Sequence, residues 1–302
     1  MRRRGRKIDG ILLLDKPPGA TSNGALQHAK RLFSAAKAGH TGSLDPLATG
    51  VLPLCFGEAT KFSQFLLEAN KRYLAEVTLG VLTDTGDADG KVTGGSPPGV
   101  YTDERIESVL EMFRGEIDQV PSMFSALKVN GEPLYKLARQ GIEVERKSRK
   151  VTIFELDLVE RRDKLLVLEI HCSKGTYIRS LAEDIGNELG CGGHVSALKR
   201  LQSGPFQLEE TYTLDQLSRV RDESGLHGLN DCLLPISAAV QDWTSVEIAE
   251  ITASYLKQGQ AVQIPHPPTN GWVRIFSDGA FLGVGEVIDD GRITPRRLIS
   301  GR

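Results

Sequence analysis

The sequence has few cysteines and no long apolar run. Its four cysteines are scattered without paired short spacing, which is typical of reduced, mostly buried thiols and not of a disulfide framework. The longest early apolar run, residues 11–14, has the length of a buried strand, whereas a membrane span needs roughly 18–20 residues. The basic N-terminus is not followed by the roughly 7–15 apolar residues of a signal peptide. These absences predict a cytoplasmic protein with no membrane segment.

Metal-ligand patterns are lacking as well. Cys191 with His194, and His171 with Cys172, do not have the paired spacing of structural zinc modules. The segment 84–90 contains the aspartates of a calcium loop but not the acidic residue that closes such a loop. We therefore predict no metal ion and interpret the segment 84–90 as a turn-rich connection.

An overall excess of one charge is also missing, since the formal net charge is −2. Net charge therefore gives no sign of a nucleic-acid partner, but local clusters of basic residues can still contact phosphates. One such cluster is more often a solvated surface, whereas several in a slightly acidic chain favour RNA binding. The clusters are Arg2, Arg3, Arg4, Arg6 and Lys7; Lys136, Arg139, Arg146, Lys147, Arg149 and Lys150; Lys199 and Arg200; and Arg296 and Arg297.

Hydrophobic periodicity predicts a mixture of strands and helices without a steady βαβ rhythm, so the α+β class is favoured. The clearest helix is predicted over 176–189. Further helices are predicted over 22–36, 58–69, 103–113, 134–140 and 213–220. Strands are predicted over 8–14, 51–56, 72–79, 122–129, 151–160, 165–170 and 195–201.

The composition changes after about Ala239. Short strand-like pieces follow, separated by Gly, Asp and Pro. They are predicted over 261–264, 272–276, 281–287 and 297–299. We therefore expect a larger body over residues 1–239 and a small β-rich module over residues 240–302.

The segment 39–50 is rich in turn formers and has neither a helical nor a strand period, so a loop is predicted. Its glycines allow backbone conformations that other residues rarely adopt, and Pro46 biases Asp45 towards an extended backbone. A carboxylate held at a fixed angle on such a loop suits a nucleophile. The residues alone leave open the simpler interpretation that Asp-Pro only starts a turn. A phosphate-binding P-loop fits poorly, because no Gly-Lys-Ser/Thr closes the segment.

Three further side chains are candidate site residues. Arg179 falls in the first helical turn if Thr176 is the N-cap, and a cation there opposes the helix dipole, which favours an acidic residue by about 0.3–1 kcal/mol. We expect a carboxylate or a phosphate as its partner, unless the side chain is simply solvated. Tyr73 and Tyr177 begin a predicted strand and a predicted helix. Tyrosines there usually pack, but in an RNA enzyme they can stack on bases.

Several longer motifs occur in a fixed order and cover almost the whole chain. They are Asp9-Gly10-Ile11-Leu12-Leu13-Leu14-Asp15-Lys16-Pro17; Gly39-His40-Thr41-Gly42-Ser43-Leu44-Asp45-Pro46-Leu47-Ala48-Thr49-Gly50; Lys71-Arg72-Tyr73; Leu79-Gly80 with Thr83-Asp84-Thr85; Pro121-Ser122-Met123-Phe124-Ser125-Ala126-Leu127-Lys128; and Cys172-Ser173-Lys174-Gly175-Thr176-Tyr177-Ile178-Arg179. In this order they resemble the B-type pseudouridine synthases, bacterial enzymes that isomerise uridine 55 in the T loop of tRNA.

The resemblance implies an architecture. A mixed β-sheet catalytic core flanked by helices, with a cleft across it, is expected for residues 1–239. Residues 240–302 are expected to form an RNA-binding module of the PUA type. An insertion that grips RNA is expected at about 122–150, where one of the basic clusters lies.

The resemblance also implies roles for site residues. Asp45 would be the essential carboxylate, Arg179 would pair with it, and Tyr73 would stack on the uracil and serve in proton transfer. Tyr177 and Leu198 would line the pocket.

Two further substrate-binding residues are implied by the resemblance. His40 would fill the space that the flipped base leaves, although a loop histidine bonded to backbone is the simpler alternative. Lys16 would support the active-site loop or a phosphate. The expected partner is the T arm of tRNA. No cofactor is expected, because isomerisation needs no redox change and no external group. A monomer with no obligatory protein partner is also expected.

Three rival functions remain from the sequence. A tRNA-folding chaperone would use the same RNA contacts without chemistry. A two-carboxylate glycosidase would need a second acid in the cleft, and no motif supplies one beside Asp45. A synthase guided to other RNA sites by partner proteins is the third, and the compact bacterial-style motifs argue against it.

Overall fold

The computed structural model describes residues 5–125, 127–129 and 131–300. Arg2, Arg3 and Arg4 of the basic N-terminal cluster lie outside them. The helices are α1 (Ser22–Leu32), α2 (Ser63–Glu68), α3 (Asp103–Glu111), α4 (Leu134–Arg139), α5 (Ile178–Glu188), α6 (Leu214–Asp231) and α7 (Glu250–Lys257). The strands are β1 (Gly10–Lys16), β2 (Ala38–His40), β3 (Thr49–Phe56), β4 (Lys71–Leu79), β5 (Leu82–Thr83), β6 (Val92–Gly94), β7 (Gly115–Gln119), β8 (Lys128–Val129), β9 (Glu132–Pro133), β10 (Arg149–Arg162), β11 (Leu165–Cys172), β12 (Gly193–Ser203), β13 (Phe206–Gln207), β14 (Thr244–Glu247), β15 (Gly271–Ser277), β16 (Ala280–Val287) and β17 (Ile293–Leu298).

A nine-stranded mixed sheet forms the centre, as the α+β prediction requires. Its main order is β1-β3-β12-β4-β11-β10-β7, with β2 added to β3 and β13 to β12. Most neighbours are antiparallel, but β12 runs parallel to β3, pairing Lys199 with Thr49 and Arg200 with Gly50. This parallel pair brings a strand from late in the chain beside the early loop that carries Asp45.

The apolar run at the start of the chain is buried on both faces of the sheet. Leu12 and Leu14 pack in the main core with the helices, whereas Ile11 and Leu13 pack in a second core on the opposite face. Successive strand side chains point to opposite faces, so a continuous apolar run requires cover on both sides. The edge of the sheet that supports the Asp45 loop is therefore held from both faces.

The predicted starts of two helices, at residues 22 and 103, agree with the structure. The Thr21 hydroxyl accepts a hydrogen bond from the Gly24 amide at 3.0 Å, and the Thr102 hydroxyl accepts one from the Arg105 amide at 3.2 Å. Thr176 is not the N-cap of α5, because the helix begins at Ile178. The N-cap position is Tyr177, whose side chain makes no capping hydrogen bond.

A four-stranded sheet, β14-β15-β16-β17, lies near the C-terminus and packs with α7 around its own core. The second core of the central sheet also extends into this region, since it contains Val240 and Val284 together with Phe62. The rings of Phe62 and Phe281 are 5.6 Å apart. The two sheets are thus joined by shared apolar packing.

Several predicted elements differ from the structure. Only Lys128–Val129 of the predicted strand 122–129 is a strand, because Pro121 and the turn that follows it interrupt pairing. Residues 261–264 form only an isolated bridge through Val262 to Ile293. The helix predicted over 213–220 continues to Asp231 past a non-helical Gly225, and the polar composition of this segment hid the continuation.

Strand β12 contains two irregularities that set the direction of its side chains. The pairing register with β4 shifts between Val195 and Ala197 and again between Arg200 and Gln202. A bulge re-aims the side chains that follow it and is often found beside active sites. Arg200 lies between the two shifts and pairs directly with Tyr73.

The parallel pairing of β12 with β3 depends on a close approach at Gly50. Gly50 has φ +97°, and a Cβ placed there would lie 2.2 Å from the carbonyl oxygen of Arg200. We predict that Gly50→Ala lowers the free energy of unfolding by about 2–5 kcal/mol, since it adds steric overlap to backbone strain. Urea denaturation checks this prediction.

Gly115→Ala is the matched control. Gly115 has φ +84° but a Cβ there would meet nothing within 4 Å, so only the backbone strain of about 1–2 kcal/mol is expected. Equal losses in the two variants would contradict the importance of the close strand contact.

Candidate active site

The Asp45 loop connects β2 to β3, and its backbone is fixed on both sides of the carboxylate. The Leu44 amide donates to the Ser22 hydroxyl at 2.7 Å, and that hydroxyl donates to the Leu44 carbonyl at 3.0 Å. On the other side, the Pro46 carbonyl accepts from the Gly19 amide at 2.8 Å and from the Lys16 ammonium at 3.2 Å. Asp45 is therefore held on a rigid loop, as a reacting carboxylate needs.

Arg179 forms a two-point contact with Asp45. Its Nε lies 2.9 Å from Oδ2, and its Nη2 donates to Oδ1 at 3.2 Å. The guanidinium also donates to the carbonyls of Thr85 at 2.8 Å and Phe124 at 3.0 Å. Its side chain is only 6% exposed. Such a fork geometry fixes both the position and the orientation of a carboxylate.

The start of α5 explains how Arg179 reaches this position. The Thr176 hydroxyl donates to the Ser173 carbonyl at 3.0 Å instead of capping the helix. Arg179 lies in the first turn, where the helix dipole disfavours a cation. The structure places carboxylates beside this cation, which offsets the unfavourable location.

Asp87 is a second carboxylate at the site that the sequence did not reveal. Its Oδ2 lies 3.6 Å from Nη1 of Arg179, on the side away from Asp45, and its side chain is 6% exposed. Its Oδ1 accepts from the Thr85 hydroxyl at 2.6 Å and from the Asp89 amide at 3.2 Å. The expectation that 84–90 is only a connection is therefore incomplete. The several aspartates in that segment are the sequence feature that could have pointed to Asp87.

The pKa of Asp45 reflects opposing influences. Burial raises the pKa of this carboxyl above its ordinary value, and the Arg179 guanidinium works against that effect. The Asp87 carboxylate raises the pKa further, whereas the Lys16 ammonium lowers it. Arg179 is thus the main group that favours the ionised form.

A cavity of about 340 Å³ opens beside Asp45. It brings together five of the predicted site residues from four separate parts of the chain. They are Asp45, Tyr73, Tyr177, Arg179 and Leu198. Tyr73 and Leu198 come from the adjacent strands β4 and β12. Burial raises the pKa of the Tyr73 phenol, so this side chain is neutral near pH 7.

His40 and Lys16 do not line this cavity. His40 ends β2 and is half-buried; its Nδ1 has no hydrogen-bond partner in the described ranges, and burial lowers the pKa of its ring. Lys16 is fully buried and also donates to the carbonyls of Pro17 at 2.9 Å and Ala20 at 2.6 Å. Burial lowers the pKa of Lys16 to about 8. Its contacts are those of a residue that supports the loop.

Two other residues organise the cavity without having been predicted. Gln119 is buried and brackets Tyr177: its Oε1 accepts from the Tyr177 amide at 2.7 Å, and its Nε2 donates to the Tyr177 carbonyl at 3.0 Å. Arg200 was expected in a basic surface cluster, but only 1% of it is exposed and it donates to backbone carbonyls under the Asp45 loop. The bulge in β12 turns it inward, and no sequence pattern announces that bulge.

Neither a metal cluster nor a membrane helix is found in the part of the chain that the structure describes. No group of three or more His, Cys, Asp or Glu side chains there could hold a metal ion. No helix among the same residues is long and apolar enough to cross a bilayer.

Three protein-family models match consecutive parts of the chain. Residues 30–178 match the N-terminal domain of the TruB family pseudouridylate synthases. Residues 179–241 match the tRNA pseudouridylate synthase B C-terminal domain, and residues 244–299 match the C-terminal model of pseudouridine synthase II TruB.

Curated relatives match nearly the full length. The tRNA pseudouridine synthase B of Coxiella burnetii (strain RSA 331) is 54% identical over 298 residues, which are 98% of this chain and 96% of that protein. The protein of the same name from Ectopseudomonas mendocina is 56% identical over 295 residues, 97% of this chain and 96% of that protein.

A solved structure shares the fold. The crystal structure of a Cbf5-Nop10-Gar1 complex matches with a TM-score of 0.74 and 26% identity, over 96% of this chain and 84% of that chain. The family resemblance seen in the motifs is therefore confirmed by whole-chain similarity. The chain belongs to the TruB family of pseudouridylate synthases.

Proposed function

We propose that this protein isomerises the uridine at position 55, in the T loop of tRNA, to pseudouridine, with Asp45 as the essential carboxylate. The observation that carries the proposal is the two-point Arg179–Asp45 contact on the wall of a cavity of about 340 Å³. Relatives with 54–56% identity are named for tRNA, which supports tRNA as the substrate.

The reaction balances without a cofactor. The bond between uracil N1 and ribose C1′ breaks, the uracil turns, and a new bond joins C1′ to C5. The C5 proton leaves and N1 gains a proton, so the product is an isomer of the substrate. Asp45 acts either by attacking C1′ or by removing a ribose proton, and both routes need its ionised form.

Arg179 is proposed to hold Asp45 ionised and correctly aimed. A buried guanidinium paired at two points lowers the pKa of a carboxyl and restricts its rotation. Asp87 contacts the same guanidinium from the other side, so it helps to keep Arg179 in place. Asp45 then needs little reorganisation when the nucleotide arrives.

Tyr73 is proposed to stack against the target uracil and to take part in proton transfer. Its ring lines the cavity together with Tyr177 and Leu198, which supply flat and apolar surfaces for a base. A phenol that is neutral near pH 7 can donate a proton, and its oxygen can accept one. The Gln119 bracket supports this arrangement by fixing the backbone of Tyr177.

The target base must leave the stack of the T loop to reach a carboxylate inside a cavity. We propose that His40 occupies the space that it leaves. His40 lies outside the cavity wall, at the end of β2, and its ring is kept neutral by burial. Its Nδ1 is buried and has no hydrogen-bond partner among the described residues.

The basic residues near the insertion are proposed to contact phosphates of the T arm. Lys136, Arg139, Lys147 and Arg149 are exposed. Exposed cations favour a polyanion through release of its counterions. Lys16 is proposed to act through the Asp45 loop instead, because its ammonium is fully buried against carbonyls.

The structure does contain the second carboxylate that a glycosidase would need, but its surroundings do not suit a general acid. Asp87 is buried and engaged with Arg179, the Thr85 hydroxyl and the Asp89 amide. A general acid must face the leaving group and hold a proton. Asp87 has its oxygens occupied behind Arg179, so the structure favours a single reacting carboxylate.

Asp45→Asn should abolish turnover while tRNA binding survives, because the amide keeps the shape but cannot act as a nucleophile or base. The measurement is tritium release from a tRNA transcript labelled at uracil C5, with purified protein alone. Binding is measured separately by filter retention. Turnover of the bare transcript by the wild type would also support action without an obligatory protein partner.

Asp157→Asn is the matched control, since Asp157 is exposed on β10 and remote from the cavity. It should release tritium at the wild-type rate. Retained turnover in Asp45→Asn would exclude Asp45 as the reacting group. If the wild type binds tRNA and releases nothing, the chaperone function is favoured instead.

The two neighbours of Asp45 should shift its titration in opposite directions. The rate rises with pH as Asp45 loses its proton, so the acidic limb of the profile reports the pKa of this carboxyl. Arg179→Ala should move that limb to higher pH and slow turnover by about 100-fold, because the favourable charge is lost. Asp87→Asn should move it to lower pH, because a repelling carboxylate is removed. Single-turnover rates from about pH 5 to 9 test this, and shifts of the same sign would contradict it.

A further inference from the structure

Arg200 is among the largest fully buried side chains, with 1% of its surface exposed. It forms no ion pair with an acidic residue in the part of the chain that the structure describes; its acceptors there are neutral oxygens. Burying a guanidinium without a carboxylate is unfavourable unless its N–H groups find other acceptors. The identity of those acceptors therefore indicates what the residue does.

The two acceptors lie at the two ends of the Asp45 loop. Nε donates to the Val51 carbonyl at 2.6 Å, and Nη2 donates to the Gly42 carbonyl at 3.3 Å. The backbone of Arg200 is paired with Gly50 in the parallel contact between β12 and β3. One side chain thus ties the start of the loop to the strand that follows it.

The third group beside Arg200 is Tyr73, whose phenol has its pKa raised by burial and lowered by the nearby guanidinium charge. Arg200 and Tyr73 are direct partners in the β12–β4 register, and both line the Asp45 cavity. Directly paired residues of neighbouring strands point to the same face of the sheet, so these two side chains lie side by side. The contact is therefore built into the pairing of the two strands.

The Arg200 contact determines how the Tyr73 hydroxyl can act. Arg200 has only donors, so the phenol oxygen can meet it only as an acceptor, which leaves the phenol's own proton for another acceptor. The positive charge also lowers the pKa of the Tyr73 phenol, against the larger effect of burial. A phenol held this way is oriented and can more easily carry transient negative charge.

We propose that Arg200 is a positioning residue for the reaction, which fixes the Tyr73 hydroxyl and both ends of the Asp45 loop in one frame without binding the nucleotide itself. This inference rests on the proposed part of Tyr73 in proton transfer. The role proposed for Arg200 differs from that of the basic residues proposed to contact phosphates, although Arg200 is next to Lys199 in the sequence.

The variants are Arg200→Lys and Arg200→Gln. Lysine keeps the charge but not the planar set of donors, whereas glutamine keeps a planar donor without the charge. Each should lower the single-turnover rate at saturating tRNA by about 10- to 100-fold, with less than about a threefold change in tRNA dissociation constant. Arg72→Lys is the matched control, because Arg72 neighbours Tyr73 but pairs with Glu155 and Glu169, and its rate should equal the wild type.

A double-mutant cycle with Tyr73→Phe distinguishes positioning from general support of the fold. In the Tyr73→Phe background, Arg200→Lys should change the rate less than about threefold, because the hydroxyl on which it acts is already absent. An equally large loss in both backgrounds would overturn the proposal. If Tyr73→Phe reacts like the wild type while Asp45→Asn is inactive, this inference fails and the proposed reaction stands. If the wild type releases no tritium, the proposed function itself fails.

A spectroscopic measurement does not depend on turnover. The chain has six tyrosines, so ¹³Cζ labelling of tyrosine gives few signals, and Tyr73→Phe identifies the one of interest. Arg200→Gln should move the ionisation of the Tyr73 phenol to higher pH, whereas a merely structural role would leave it unchanged in folded protein. If both Arg200 variants fail to fold, the wild type still provides a test. The ¹³Cζ shift of Tyr73 should be that of a phenol whose oxygen accepts a hydrogen bond. The shift of a free phenol would overturn the proposal.

Discussion

The contact between Arg179 and Asp45 is the interaction on which the rest of the site depends. The guanidinium also binds Thr85 and Phe124, so it joins three segments that lie 134, 94 and 55 residues from it along the chain. None of these segments is held near the others by local sequence. The nine-stranded sheet brings them together, and one buried cation then fixes their relative positions. Its location in the first turn of α5 is unfavourable for the helix alone and becomes favourable only in this setting.

Much of the site could be predicted because its residues occur in motifs or violate a local rule. The turn-rich loop marked Asp45, and the cation at a helix start marked Arg179 as needing a negative partner. The α+β class followed from the mixed periodicity. Asp87 was missed because its role depends on a contact with Arg179, far along the chain, and its segment looks like an ordinary turn. Arg200 was assigned to a surface because a Lys-Arg pair in a strand does not reveal which side chain a bulge turns inward.

Lys16 and Arg200 support the Asp45 loop through backbone carbonyls and not through ion pairs. Lys16 donates to the Pro46 carbonyl and Arg200 to the carbonyls of Gly42 and Val51. Charged donors make stronger hydrogen bonds than neutral ones, which suits a loop that lacks regular structure. Lysine and arginine in this chain therefore serve two purposes, and only burial distinguishes them. Counting basic residues in the sequence could not make that distinction.

The charges around the cavity are arranged to suit the proposed reaction. Asp45 and Asp87 share the guanidinium of Arg179, so these three side chains together carry one more negative than positive charge. Arg200, beside Tyr73 in the sheet, carries a positive charge that no ion pair compensates among the described residues. As the glycosidic bond breaks, the ribose becomes electron-poor and the departing uracil becomes electron-rich. Stabilisation is greatest when fixed charges match those that develop in the transition state. A nucleotide with its ribose at Asp45 and its base at Tyr73 meets that match, and the reverse orientation would oppose it.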